Sequence, residues 1–232
     1  MRLLLASMLL AQATTSAPAR VQNRTLAFAE AGPITYGIAV PASYTAGEPR
    51  PLVLALHPGG ERVAYQGSAF MRQIVLPALG ALDAIVVAPD APVRSWTDPV
   101  SDRAVMALLE SVLGEYTIDK RRILVTGFSM GGRGTWFMAS HHADIFTAAI
   151  PIAASVAGEA TERLGTMPTY IIHSRNDQVV PFEPAAQNAK ALEQLGRAVR
   201  FEELSGVGHY QMGGYVDALR RAGQWVAARW EK

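Results

Sequence analysis

The sequence predicts a three-layer α/β fold: a mostly parallel central sheet with helices on both faces and no large cap domain. Three observations support this. The 232 residues are 50% apolar and only 18% charged, enough to build one sizeable core. Short, continuously apolar runs recur along the chain, as strands covered on both faces require. Segments with helical spacing lie between these runs, so the strands pair in parallel through crossover connections.

Taken in order, Ile34 to Val40 reads as an early strand stopped by Pro41. Leu52 to Leu56 is short and wholly apolar, and Ala84 to Ala88, Ile123 to Thr126, Ala148 to Ile152 and Tyr170 to Ile172 repeat that signature. Val199 to Leu204 alternates instead, which suits a strand near a sheet edge. Between them, Ser101 to Tyr116 carries Val105, Leu108, Leu109 and Val112 on one helical stripe. A helical run also follows Ser129. Pro184 to Gly196 ends on a glycine, a common helix stop, and Tyr215 to Trp230 offers Val216, Leu219, Trp225 and Val226 to one face.

The N-terminus is set apart. Met1-Arg2 precedes an apolar stretch from Leu3 to Ala11, followed by small residues at Ala11-Gln12-Ala13 and Ala17-Pro18-Ala19. This is the layout of an export signal, and the stretch is too short to span a bilayer. Residues 1–19 are therefore expected to be a signal peptide, cleaved after Ala19 or Ala13, and residues 20–232 a single domain that is secreted or periplasmic. A net charge of +1 gives no electrostatic footprint for nucleic acid. The absence of cysteine excludes disulfides, thiolate metal sites and a cysteine nucleophile.

Ligand sites of open α/β sheets form beyond the carboxyl ends of the strands. After the Ile123 strand comes Gly127-Phe128-Ser129-Met130-Gly131-Gly132, a G-x-S-x-G turn between strand and helix. Glycines on both flanks permit the tight backbone turn that lifts the Ser129 hydroxyl clear of the sheet. A serine needs a base. Of five histidines, His141 and His142 fall at the far end of the following helix, and His57 and His173 each end a strand. His209 lies in the glycine loop Gly206-Val207-Gly208-His209 before the last helix and is the favoured base. Asp177, in the loop after the Tyr170 strand, is the favoured carboxylate to orient it, with Asp90 as the rival. The oxyanion donors expected are the backbone N–H of Met130 and one from His57-Pro58-Gly59-Gly60, with Gly59 preferred and Gly60 next. Trp96 and Tyr210 are expected to wall the substrate pocket. Phe128 and Trp136 are weaker candidates, and Trp136, inside a helix, is expected in the core.

With these residues in hand, the chain resembles the α/β-hydrolase superfamily. It looks most similar to secreted esterases, some known as predicted peptidases or as phospholipase/carboxylesterase-like, near the depolymerase and feruloyl esterase groups. Tyr36 with Val40 to Tyr44, His57-Pro58-Gly59-Gly60-Glu61-Arg62 (similar to that group's HGAGER loop), Val87-Ala88-Pro89 with Trp96, and Asp119 with Arg122-Ile123 contribute to the resemblance. So do Gly127 to Gly132 with Gly134-Thr135-Trp136, His173 with Asp177 and Val180-Pro181, and Gly206 to His209. The chain order Ser129, Asp177, His209 is that of the superfamily. Pro58 and Ser174 depart from it, each standing where the group usually has glycine. The resemblance implies Ser129, Asp177 and His209 as a triad hydrolysing carboxylic esters through an acyl-enzyme. No metal or cofactor is required, and the substrate is a small or polymer-borne ester. The rival activities are a serine peptidase on the same triad and a non-catalytic binding protein on the same scaffold.

Overall fold

The structure, a computed structural model, describes residues 20–231; the expected signal peptide lies outside them. Among the described residues, eight strands form one sheet: β1 (Arg20–Leu26), β2 (Ile34–Val40), β3 (Arg50–Leu56), β4 (Ile85–Pro89), β5 (Ile118–Phe128), β6 (Ala148–Ile152), β7 (Thr169–Ser174) and β8 (Val199–Leu204). Their order is β1-β2-β4-β3-β5-β6-β7-β8. The pairs from β4 through β8 are parallel, and β1 and β2 add an antiparallel edge. The α-helices of the same residues are α1 (Gln66–Phe70), α2 (Leu76–Leu79), α3 (Pro99–Glu115), α4 (Met130–His141), α5 (Gly158–Arg163), α6 (Phe182–Gln194) and α7 (Val216–Trp230).

Because successive side chains of a strand point to opposite faces, each central strand feeds two cores. Leu52, Leu54 and Leu56 of β3 join Val105, Leu108 and Leu109 of α3, Trp136 of α4 and Leu192 of α6 on one side. Val53 and Ala55 join Phe70 of α1, Leu79 of α2, and Leu219 and Val226 of α7 on the other. The predicted α3 stripe is wholly buried, and each such side chain contributes about 1.5–3 kcal/mol. The α3 N-terminus is capped by Asp98, whose side chain accepts from the Val100 N–H at 2.8 Å, with Pro99 as first residue. The predicted glycine stop of α6 is Gly196, at φ +67°. Its N–H bonds the Glu193 carbonyl and the Arg197 N–H reaches back to that of Leu192, a Schellman closure.

The edge position of β8 matches its alternating pattern. Besides the short helix α5, two features lack a counterpart in the sequence pattern. The first is β1, whose mostly polar RVQNRTL pairs along the whole of β2 but packs on little. The second is the helical stretch from Gln66 to Leu82, a π-turn (Met71–Val75) joining α1 to α2. Its buried residues Phe70, Met71, Ile74, Val75, Ala78 and Leu79 keep helical spacing, but Gly67, Pro77 and Gly80 break up the signal.

Candidate active site

Ser129 stands between β5 and α4 with φ 56° and ψ −113°, a strained backbone for a residue with a side chain. The neighbouring glycines are what make the turn possible. A methyl group on Gly127 would collide with the Gly131 carbonyl, and one on Gly131 with the Leu56 carbonyl of β3. The Ser129 N–H is held by the Ile152 carbonyl of β6 at 2.9 Å. Its hydroxyl therefore sits above the carboxyl ends of the strands, at the start of a helix.

The His209 loop, between β8 and the turn at Met212–Tyr215, lays its imidazole over that hydroxyl. Nε2 is 2.9 Å from Ser129 Oγ, and Nδ1–H donates to Asp177 Oδ2 at 2.7 Å. Burial pushes the Asp177 carboxyl up. The hydrogen bonds from His209 and from the Val180 and Val179 N–H groups outweigh it and hold the group below the usual carboxylate value. An ionised Asp177 places the proton on Nδ1, so the Nε2 lone pair faces the serine. The arrangement can take a proton from Ser129 and hold it.

Three side-chain amides brace the loops that carry Asp177 and His209, and none of them stands out in the sequence. Asn176 accepts from the Gly206 N–H at 2.6 Å and Gln178 from the His209 N–H at 3.3 Å, so the residues flanking Asp177 grip the His209 loop. Gln211 accepts from the Gly208 N–H at 2.7 Å. Amides in loops carry no periodic signal, and only their place beside Asp177 and His209 in the chain could have marked them. Phe128 packs its ring 5.1 Å from the imidazole.

The other candidates separate. His57 is buried and braces the neighbouring loop, its Nδ1–H donating to the Pro58 carbonyl at 2.7 Å and its Nε2 accepting from the Ala91 N–H at 3.0 Å. His173 is fully buried and donates from Nε2 to the Val180 carbonyl at 3.0 Å, with Asp177 Oδ2 3.7 Å away. Burial lowers the pKa of both. His142 pairs with Asp102 of α3. Asp90 is absorbed by structure, accepting from the Tyr65 and Gly67 N–H groups and the Thr35 hydroxyl.

Met130 is the first residue of α4, where a helix N–H has no intrahelical acceptor. Gly59 lies against it, with a methyl at that position 3.6 Å from the Met130 side chain. A recess of about 270 Å³ opens over Ser129, lined by Gly59, Phe128, His209, Tyr210 and Met212 among others. Tyr210, 79% exposed, is among the residues lining it. Trp96 is not. It is fully buried, donates its indole N–H to the His57 carbonyl at 2.9 Å, and props the Gly59 loop from below instead of walling the pocket. Trp136 is in the core, as expected.

Residues 99–222 match the family described as PET hydrolase-like. A probable feruloyl esterase C of Aspergillus niger is 25% identical over 159 residues, which is 67% of this chain and 59% of that protein. Among solved structures, a thermostable esterase superposes with a TM-score of 0.76 at 29% identity, over 90% of this chain and 62% of its own. A ferulic acid esterase superposes with a TM-score of 0.75 at 17% identity, over 90% and 97%. The chain thus spans 59% of the Aspergillus protein and 62% of the thermostable esterase. The match over more than half its length, together with a fold shared across nearly all of it, means that the chain belongs to the PET hydrolase-like family of α/β-hydrolase esterases.

Proposed function

We propose that this protein is a serine hydrolase of carboxylic esters, with Ser129 as nucleophile, His209 as general base and acid, and Asp177 as its orienting carboxylate. The observation that carries the reading is the continuous hydrogen-bonded line from Asp177 through His209 to Ser129 at the floor of an open recess. Ser129 Oγ attacks the ester carbonyl carbon while its proton passes to His209 Nε2. The oxyanion is held by the Met130 and Gly59 backbone N–H groups. As the tetrahedral intermediate collapses, the bond to the alcohol oxygen breaks and His209 returns the proton to it. Water then attacks the acyl-enzyme, giving its proton to His209; the acid leaves and Ser129 regains its hydrogen. These steps use the protein's own oxygen and nitrogen groups. Export of the chain, with residues 1–19 removed, belongs to the same proposal.

Hydrolysis of p-nitrophenyl butyrate tests it, comparing the wild type with Ser129→Ala. The expected loss in kcat is on the order of 10⁴-fold or more. Equal turnover by the two proteins would overturn Ser129 as nucleophile. Peptide p-nitroanilides in the same assay distinguish an esterase from a peptidase, and the N-terminal sequence of the exported protein reports the cleavage point.

A further inference from the structure

A second, larger cavity of about 570 Å³ adjoins the triad recess, and Gly59 lines both. Met130 forms part of its wall, so the two meet where the oxyanion would lie. Its volume is in the range of small-ligand sites. Its lining includes two arginines, Arg62 and Arg94. Arg62 is fixed through Nη2 to the Pro92 carbonyl at 2.6 Å, with that of Ala91 at 3.5 Å, which leaves Nη1 and Nε for a ligand. Arg94 has no carboxylate or hydrogen-bond partner among the described residues. Asp90 is the carboxylate in this lining, and the Gly67 and Tyr65 N–H groups and the Thr35 hydroxyl already engage its oxygens. The cavity is therefore net cationic, and its lining includes guanidinium donors without a partner.

The chemistry of the triad decides which half of an ester reaches it. The leaving alcohol takes its proton from His209 Nε2, so the alcohol lies on the His209 side, in the smaller recess. The acyl chain leaves the carbonyl carbon in the other direction, past Gly59 and Met130. Resting on the esterase reading, we infer that the larger cavity is an acyl subsite for acids with a second anionic end, and that Arg62 and Arg94 bind that distal carboxylate. The substrate class is then the monoester of a dicarboxylic acid, attacked at its esterified end. A guanidinium is suited to this because its planar fork matches a carboxylate.

The test is the ratio of kcat/KM for p-nitrophenyl hydrogen adipate to that for p-nitrophenyl hexanoate, two esters that differ at the distal end. The wild type is expected to favour the adipate by about tenfold, the worth of one charge-assisted hydrogen bond. Arg94→Gln and Arg62→Gln each lower the ratio severalfold, their combination brings it to one or below, and added salt weakens the preference. Circular dichroism verifies the fold of each variant. A wild-type ratio of one or less, or a ratio unmoved in both variants, overturns the subsite while leaving the esterase reading intact. An arginine-dependent preference for an anionic alcohol half would do the same. Turnover of neither ester by folded protein would overturn both readings together.

Discussion

The indole of Trp96 donates to the carbonyl of His57 and its ring lies edge-on to the imidazole, with centroids 5.1 Å apart. His57 in turn ties Pro58 on one side and Ala91 on the other, so the loop bearing Gly59 rests on buried groups with matched partners. Trp96→Phe keeps a ring but removes the donor, leaving a buried carbonyl unpaired at about 1–3 kcal/mol. Urea denaturation should register that loss, and kcat for p-nitrophenyl butyrate should fall more than KM rises, because a loosened Gly59 affects the transition state first. A change confined to KM would indicate that Trp96 contacts substrate. Asp177→Asn should reduce kcat by roughly 10⁴-fold with the fold retained, since an amide there favours the wrong imidazole tautomer.

Helix α4 sits closer to the sheet than side chains would permit. Gly131 faces the Leu56 carbonyl of β3, Gly132 the Ile152 carbonyl of β6, and Gly134 the side chain of Trp96. That approach brings the start of α4 beside the end of β3, so Met130 and Gly59 share one small space. Gly131→Ala should displace both at once. The expected cost is about 1–3 kcal/mol of overpacking or more, with activity lower in whatever fraction folds. Stability and kcat close to wild type would show that the close approach is not required. At the far end of α6 the demand is conformational. Gly196 holds φ +67° with no atom within 4 Å of where a β-carbon would stand, so Gly196→Ala should cost about 1 kcal/mol by denaturant unfolding and leave ester turnover as it was.

Acid should destabilise the whole molecule through its buried histidines before its carboxylates. His57 and His173 have pKa values lowered from 6.5 by burial, so in the unfolded chain they bind protons that the native state refuses. Their contribution is fully present above the unfolded value and declines as pH falls below about 6.5. Asp177, held below its ordinary value, adds stability that is lost only at lower pH, as it is protonated through its folded pKa. Both effects have the same sign. Urea midpoints should be level at neutral pH, fall from about pH 6.5 downward, and fall again in the carboxylate range; a midpoint that rises on acidification would contradict this. Much of the molecule can be read from the chain. The buried strands β3 to β7 announce themselves as apolar runs because both faces are covered, and α3, α6 and α7 by their one-sided stripes. Ser129, Asp177 and His209 stand out because each follows a strand, in an order that suits the chemistry. What local sequence could not reveal depends on contacts between distant segments. β1 is a strand because β2 offers it an edge, although its own side chains bury little. Trp96 is core rather than pocket because the Gly59 loop folds down onto it. The larger cavity and its two arginines exist only once the ends of β3 and β4 lie side by side, since a pocket is a property of space between segments and leaves no periodicity in any one of them.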